Sequence, residues 1–302
     1  GKMNEPLVSI IIPTYKRSKY IERTIEAVLK QSYNNIEIIV VDDNNPETYH
    51  REETEKVMQK YRKHKNIKYI KHEKNMNGCA ARNTGLKAAE GKYICFLDDD
   101  DIIYENKIKE QVEFLEKNLK YGAVYCYRKI GDLIHCPNIE GNISEYLLSG
   151  EHIIITIMLL FRKCNIKDCE WNINLKRNQE AGFLLEFFDK GNLIACLPKI
   201  LCETYLDDRS NVLNSKKNEY EMLKYLNEYK RIIEKNGYNK GNIYCQRYFG
   251  IMLTYLKDRK ILNFIRCFFK TIFFNPFLFI KISFNYVKNY LKKERKDYKR
   301  YI

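Results

Sequence analysis

Short apolar segments rich in β-branched residues alternate with segments of helical periodicity over the first 130 residues of this chain. The apolar segments are 8–12, 36–41, 67–70, 93–97 and 123–127. Between them, apolar side chains recur three or four positions apart, as at Ile21, Ile25, Val28 and Leu29. This alternation predicts βαβ units, and therefore an α/β fold with a mostly parallel sheet flanked by helices.

The chain is less regular after residue 130. We expect a strand over 156–162, a helix over 180–189 and a strand over 193–203. From about residue 218 the pattern is helical to the end, with a break at Asn275–Pro276. A C-terminal helical extension is therefore predicted to follow the α/β region.

Positive charge is concentrated in that extension. The net charge of the 302 residues is +14, and residues 257–302 contribute 13 Lys or Arg against three Asp or Glu, with eight of the 15 Phe. Basic residues mixed with Phe suit an anionic lipid surface better than a nucleic acid. The alternative is that these helices pack on the rest of the protein. Charged and polar residues interrupt every window that approaches the ~20 apolar residues of a membrane span.

Ten cysteines are scattered along the chain without a Cys-x-x-Cys pair. This spacing argues against a zinc ribbon or a disulfide framework, and favours a reducing compartment. The first apolar run, LVSIII, is too short for a signal peptide. We therefore expect a cytoplasmic protein, peripheral at the inner face of the plasma membrane.

Four consecutive aspartates, 98–101, follow the apolar segment 93–97. Like charges this close repel, so a positive partner is required. In an extended segment Asp98 and Asp100 point to the same side, where two carboxylates form a hard-oxygen site for Mn²⁺ or Mg²⁺ that a diphosphate would complete. The alternative is a solvated acidic turn, or an N-cap for the helix beginning near Tyr104.

Two other strand ends are polar, and the carboxyl ends of parallel strands open onto one crevice. We expect Pro13 to end the first strand, Tyr15 to stack on a base, and Lys16 or Arg17 to offset phosphate charge. At the second end, the carboxylates in DDNN could accept a hydrogen bond from a base or ribose, or could simply form an Asx-turn. The first turn is not Gly-x-Gly-x-x-Gly, and the chain has no P-loop motif, so dinucleotide dehydrogenases and P-loop enzymes are disfavoured.

The segments VSIIIPTYKR, IEIIVVDDNN and NGCAARNTGLKAAEGKYICFLDDDD, in this order, resemble glycosyltransferase family 2, whose fold is the Rossmann-like GT-A fold. The resemblance covers about residues 6–205. It implies a GT-A catalytic domain over 1–215, with a nucleotide-sugar half to about 130 and an acceptor half over 131–215. Residues 216–302 would then be the basic, Phe-rich helical extension.

The resemblance also implies roles for individual residues. The Asp-x-Asp metal motif would be Asp98–Asp100, with Asp100 as the direct ligand and Asp99 beside the bound donor. Asp43, with Asp42, would bind the uracil or other base. The remaining donor-site residues would be Pro13, Tyr15, Arg17 and Arg82. Arg209 and Ser210 could lie over the diphosphate.

The family's catalytic base opens a helix on the acceptor side, and Glu180 in LKRNQEAGFLLEF matches that position. An inverting transfer needs a carboxylate to accept the proton of the attacking hydroxyl. The alternative is a glutamate that only stabilises the start of its helix.

The resemblance thus implies a metal-dependent, inverting transfer of a sugar from a nucleotide diphosphate, expected to be UDP, to a glycan or lipid-linked glycan in bacterial surface polysaccharide synthesis. Two alternatives remain: a nucleotidyltransferase, and a non-catalytic nucleotide-sugar-binding or membrane scaffold protein. Nucleic acid is not an expected partner.

Overall fold

A computed structural model describes residues 5–99, 101–151, 154–204 and 213–298, with side chains described as far as Leu291. The chain divides into two compact units. Residues 1–144 and 153–208 form the first, and residues 145–152 and 209–302 form the second. The predicted boundary between a catalytic domain and an extension at 215/216 stays a prediction.

The first half of the first unit is a parallel sheet, as predicted. Its strands lie in the order β3-β2-β1-β4, and all three neighbouring pairs are parallel. Strands β1, β2 and β4 are buried almost throughout, because helices cover both faces of such a sheet. The elements are β1 (Val8–Thr14), α1 (Ser18–Leu29), β2 (Ile36–Asp42), α2 (Tyr49–Gln59), β3 (Ile67–Lys71), α3 (Gly78–Ala88) and β4 (Tyr93–Phe96).

The second half of the sheet is mixed. It continues β4-β8-β6-β9-β5, where β8 is antiparallel to both neighbours, β6 and β9 are parallel, and β7 pairs antiparallel with β6. Parallel pairing is thus limited mainly to the first half, while the α/β class is confirmed. The elements are β5 (Ile102–Ile103), α4 (Lys107–Lys117), β6 (Ala123–Ile130), β7 (Leu133–His135), β8 (Leu159–Arg162), α6 (Lys163–Ile166), α7 (Gln179–Asp189) and β9 (Ile194–Thr204).

Two predicted strand limits are wrong. Residues Thr156–Met158 form a 3₁₀ turn, so β8 begins only at Leu159. Pro13 does not end β1, which continues to Thr14. Proline is tolerated there because the ladder to β4 stops at Ile11–Phe96, so no hydrogen-bond donor is required from residue 13 on that side.

The second unit is helical within its described residues. Phe274 stacks on Tyr244 and Tyr248 of α10, with ring centroids 5.0 and 5.7 Å apart. Arg266 of α11 pairs with Glu219 of α8. The inner side of α11 is therefore part of this unit's core. The helices are α5 (Ser144–Ser149), α8 (Ser215–Glu228), α9 (Lys230–Lys235), α10 (Lys240–Lys257), α11 (Ile261–Phe274) and α12 (Pro276–Tyr298).

Among the helices of the described ranges, none combines the length and apolar character that crossing a bilayer requires. The predicted break at Asn275–Pro276 is confirmed. Asn275 caps α12 through a 2.9 Å bond from the Leu278 N–H, and Pro276 occupies the first helical position, where its missing N–H is no loss.

Truncation after residue 256 is expected to disrupt the second unit. It removes the Arg266 partner of Glu219, the buried Cys267 and Thr271, and the ring stacked on Tyr248. Loss of these packed side chains together exceeds the cost of a single core truncation, which is about 2–5 kcal/mol. Circular dichroism and calorimetry should show loss of the cooperative transition of this unit. A truncation after Leu291 leaves α11 intact and is the matched control; equal melting of the two truncated chains would contradict this prediction.

Candidate active site

Polar side chains from three parallel strands meet at the carboxyl edge of the sheet. The Thr14 hydroxyl donates to Asp99 at 3.0 Å, and the Asp43 N–H donates to the Thr14 carbonyl at 2.9 Å. The Lys16 N–H donates to the Asn44 side chain at 2.9 Å. The prediction that these strand ends lie together is borne out by these contacts.

Asp42 lies inside the turn after β2. Its side chain is fully buried. One oxygen accepts from the Asn44 N–H and side-chain amide at 2.9 and 2.8 Å, and the other accepts from the Tyr69 hydroxyl at 2.5 Å and lies 3.2 Å from Arg51. The Asp42–Asn44 backbone contact is the Asx-turn that the sequence left open. The structure thus assigns Asp42 to the turn rather than to an exposed binding surface.

Asp43 organises the loop that leads into α3. One oxygen meets His72 Nδ1 and the Met76 N–H, both at 2.8 Å. The other accepts from the Asn75 side chain at 2.7 Å and the Asn77 N–H at 2.9 Å. Four contacts fill the acceptor positions of a carboxylate. Binding of a base by Asp43 stays a prediction, and it requires one of these contacts to open.

The turn after β1 presents Tyr15 to solvent. Lys16 has φ of 56°, a left-handed conformation that is unusual for a residue with a side chain, and the Asn44 contact holds it. Tyr15 is 40% exposed, while Arg17 lies 3.6 Å from the carboxylate of Asp99. Asp99 itself is buried. Tyr15 is therefore partly accessible to a ligand, with the Lys16 ammonium 5.1 Å from its ring centroid, whereas Asp99 holds the turn.

Arg82 supplies a positive partner for the aspartates. Its side chain is buried, and Nη2 donates to Asp98 Oδ1 at 2.8 Å. Nη1 donates to Gln179 at 3.3 Å, so one guanidinium joins the end of β4 to the start of α7. Burial alone would lower the pKa of Arg82, but Asp98 and Glu180 raise it above the ordinary value.

Close packing of α3 places Arg82 there. A Cβ on Gly85 would lie 2.3 Å from Ile11, so glycine lets the helix approach β1. The Asn77 side chain caps the helix through a 3.0 Å bond from the Ala80 N–H. The small-residue segment in the sequence thus sets the distance between Arg82 and the strand end.

The Arg82 guanidinium stacks on the ring of the single tryptophan, Trp171. The guanidinium lies 4.7 Å from the centroid of the Trp171 ring, and that ring stacks on Phe183 at 4.6 Å. Asn83 exchanges two hydrogen bonds with the backbone of Trp171, at 2.7 and 2.9 Å. Stacking and charge pairing together fix the guanidinium plane.

Glu180 lies in the first turn of α7 and is partly exposed. Desolvation raises the pKa of its carboxyl above the ordinary glutamate value, and Asp98 raises it further, while Arg82 and Arg128 oppose this. Asn178 before the helix has φ of 57°, and it forms no side-chain cap. The carboxyl group thus shares its electrostatic environment with Arg82 and Asp98. The backbone N–H of Glu180 also lowers the pKa, as expected for a carboxylate in the first turn of a helix.

Arg128 of β6 also faces this environment. Its Nη1 donates to Thr204 at 3.2 Å, but its buried Nε has no hydrogen-bond partner within the described ranges. Burial lowers the pKa of Arg128, and Asp101 and Glu180 counteract that. A desolvated guanidinium with an unused donor is suited to an anionic group of a ligand.

Asp100, Arg209 and Ser210 lie outside the described residues. In the part of the chain that the structure does describe, no three His, Cys, Asp or Glu side chains form a cluster able to hold a metal ion. Asp98 is 35% exposed at its side chain, and Arg82 engages only its Oδ1. Its second carboxylate oxygen is the kind of hard ligand that Mn²⁺ and Mg²⁺ prefer, so the donor chemistry fits these metals.

Sequence reasoning missed several residues of this site: Asn75, Asn83, Arg128, Trp171 and Gln179. The signals were weak. The single Trp and the Gln preceding Glu180 were visible, but an isolated Trp is more often a core residue, and Arg128 lies within an ordinary strand.

The chain matches the family model described as glycosyl transferase family 2 over residues 9–136. An uncharacterised glycosyltransferase of Rickettsia felis is 36% identical over 152 residues, which cover 48% of this chain and 24% of the relative. A putative teichuronic acid biosynthesis glycosyltransferase of Bacillus subtilis, TuaG, is 38% identical over 112 residues, which cover 37% of this chain and 42% of TuaG. The chain thus spans about a quarter of the length of the Rickettsia relative.

Solved structures share the fold. Staphylococcus aureus TarS with UDP-GlcNAc superposes with a TM-score of 0.59 at 19% identity, over 85% of this chain and 89% of that one. The mannosyltransferase PcManGT of Pyrobaculum calidifontis, with GDP-Man and Mn²⁺, superposes with a TM-score of 0.59 at 15% identity. The superposition covers 84% of this chain and 76% of PcManGT. The family match over residues 9–136 agrees with the resemblance seen in the sequence, and the chain has the fold of the GT-A glycosyltransferases.

Proposed function

We propose that this protein is a metal-dependent, inverting glycosyltransferase that moves a sugar from a UDP-linked donor to a glycan or lipid-linked glycan. The observation that carries the proposal is the Arg82 bridge, which ties Asp98 at the end of β4 to the helix that begins with Gln179 and Glu180. The bridge supports the proposal because it joins the carboxylate that would bind the metal to the helix turn that carries the proposed base, and Glu180 interacts electrostatically with the same guanidinium. The names of TuaG and of the UDP-GlcNAc complex of TarS support a role in surface polysaccharide synthesis and a UDP-linked donor.

Glu180 would act as the general base. Ionised, it accepts the proton of the acceptor hydroxyl as that oxygen attacks the anomeric carbon from the side opposite the diphosphate, which inverts the configuration. A partly desolvated carboxylate with a raised pKa is a stronger base than a fully hydrated one. Arg82 opposes that rise and so favours the ionised form.

Asp98 and Asp100 would hold Mn²⁺ or Mg²⁺ against the donor diphosphate. A bound metal of this kind stabilises the negative charge of the departing diphosphate. Tyr15, which is 40% exposed, would stack on the base next to Pro13, and Arg17 would contribute positive charge beside the phosphates. Asp43 would orient the loop over residues 75–77 at the edge of the base pocket, and Arg128 would offset negative charge near the acceptor.

We also propose that the enzyme works at the inner face of the plasma membrane, in peripheral contact with anionic lipid through residues 257–302. A lipid-linked acceptor presents its sugar at that surface. The positive balance of the segment supports this location.

Transfer is tested with the purified chain, Mn²⁺ and a panel of nucleotide sugars, first by thermal shift and then by donor hydrolysis and transfer. A stabilising UDP-sugar that is turned over supports the proposal. Binding without any turnover would favour a non-catalytic nucleotide-sugar-binding protein, and release of pyrophosphate would favour a nucleotidyltransferase.

Asp100→Asn is expected to weaken UDP binding in Mn²⁺ and to remove its metal dependence, because an amide is a much poorer ligand than a carboxylate for a hard cation. Calorimetric titration of UDP with and without Mn²⁺ measures both effects. Asp132→Asn changes an aspartate outside the acidic run and is the matched control. Unchanged metal-dependent affinity in Asp100→Asn would exclude Asp100 as a ligand.

A further inference from the structure

Helices α11 and α12 each carry an exposed apolar stripe. The stripe residues recur three or four positions apart, and their exposed fractions lie between 42% and 84%. At about 100° per residue, each set falls within one narrow sector of its helix. We call these residues the outer stripes: Leu262, Ile265, Phe269 and Phe273 on α11, and Phe277, Ile280, Phe284, Val287 and Leu291 on α12.

The other side of α11 is already used within the second unit. Cys267 and Thr271 are buried, and the Phe274 ring stacks on Tyr248. The outer stripes are therefore additional to the core. Phe273 and Phe277, at 83% and 84% exposed, leave more apolar surface in water than isolated exposed residues normally do.

Two kinds of basic residue accompany the stripes. Arg266 and Lys270 contact Glu219 and the Tyr248 hydroxyl, so their charges serve the unit itself. Lys281 and Lys288 are exposed and form no ion pair with any side chain that the structure describes. By the helical repeat, both lie beside the α12 stripe, within about 40° of Phe277.

We infer that the outer stripes are a lipid-binding face that takes anionic phospholipid, with the apolar side chains in the acyl boundary and Lys281 and Lys288 at the headgroups. An amphipathic surface of Phe and Leu edged by unpaired lysine has the chemistry of such an interface. A second copy of this chain would fit less well, because symmetric pairing of the stripes would bring like-charged lysines together. This inference specifies the membrane contact of the proposed function, but it does not depend on sugar transfer.

The test uses the full chain and co-sedimentation with two kinds of vesicle: phosphatidylglycerol mixed with phosphatidylcholine, and phosphatidylcholine alone. Binding is expected to the mixed vesicles, and it should fall as salt rises because part of the attraction is Coulombic. Phe273→Ser combined with Phe277→Ser should weaken binding about tenfold or more. Since both side chains are exposed, the circular dichroism spectrum should not change.

Lys281→Gln combined with Lys288→Gln should reduce the preference for anionic vesicles. Leu119→Ser, at an equally exposed apolar residue of the first unit, is the matched control and should bind like the wild type. The inference would be overturned if the wild-type protein bound neither kind of vesicle, or if the Phe double variant bound the mixed vesicles with wild-type affinity. A wild-type dimer that the Phe substitutions convert to a monomer, without vesicle binding, would show instead that the face joins two copies. None of these results depends on activity, so failure here leaves the proposed transfer untouched.

Discussion

Glu180→Gln is expected to lower the rate of sugar transfer by about 10²–10⁴-fold, the usual contribution of a general base. Glutamine has the same size but cannot accept the proton of the acceptor hydroxyl. UDP affinity should change little, because the substitution leaves the residues assigned to the metal and the base in place. Steady-state kinetics with an acceptor, combined with UDP titration, measure both quantities.

Stability gives an independent check on the role of Glu180. The pKa of its carboxyl is raised in the folded protein, so the folded state binds this proton more tightly than the unfolded state. Stability therefore falls as pH rises from the ordinary glutamate pKa through the raised one, and at neutral pH the ionised group is a net cost. Glu180→Gln should melt at the same temperature as the wild type or higher. A structural cap would behave oppositely, with about 1 kcal/mol lost and near-normal turnover.

Glu186→Gln is the matched control on the same helix. Glu186 accepts a 3.0 Å bond from the Glu170 N–H, and burial raises the pKa of its carboxyl as well. It shares the helix and the direction of the pKa shift with Glu180, but not the neighbouring Arg82. Turnover of Glu180→Gln within a few-fold of wild type would move the base elsewhere, with Glu186 and Asp189 as the next candidates.

Arg82→Met is expected to reduce transfer at neutral pH by about 10²-fold or more, a typical cost of removing one positioned electrostatic group from an active site. The substitution leaves Asp98 without its guanidinium and removes the charge that opposes the raised pKa of Glu180. That pKa should rise further. Because the base works ionised, the acidic limb of the pH–rate profile should move to higher pH, and part of the lost rate should return in alkaline buffer.

Arg82→Lys separates charge from geometry. Lysine keeps the positive charge, so the shift of the acidic limb should be smaller than in Arg82→Met. It cannot contact Asp98 and Gln179 at once or stack on Trp171 as a plane, so the rate should still fall. Loss of these contacts should also cost about 1–3 kcal/mol of folding free energy.

Arg51→Lys is the control that separates the electrostatic effect of Arg82 on Glu180 from the general cost of replacing a buried arginine. Arg51 pairs with Asp42 and donates to the His72 carbonyl at 2.7 Å, but it is not among the charges that act on Glu180. Its loss should lower stability without moving the acidic limb. An unshifted limb in Arg82→Met would contradict the electrostatic role assigned to Arg82.

The sequence determined the parallel half of the sheet and the meeting of its polar ends. Buried segments rich in β-branched residues, such as Val8–Ile12, are stable only where both faces are covered, and helical spacing between them requires crossover connections. From these two constraints follow the order of strands and helices and the edge at which Asp43 and Asp99 lie. The motifs likewise showed the resemblance to glycosyltransferase family 2 and to its GT-A fold, and the family match over residues 9–136 and the shared fold agree with it.

Only the tertiary structure decided which polar side chains remain available to bind a ligand. The sequence proposed a metal as the counter-charge of the aspartates, whereas the structure brings Arg82 to Asp98 across a glycine-mediated helix contact. It shows Asp43 with all its acceptor positions filled by a loop 30 residues later in the chain. Hydrogen-bond saturation depends on groups that are distant in sequence, and local pattern does not encode it. The same reason explains why Trp171 and Arg128 could be assigned to the site only from the structure. The role of an aromatic ring or a guanidinium depends on the groups that contact it, and these contacts form only in the folded chain.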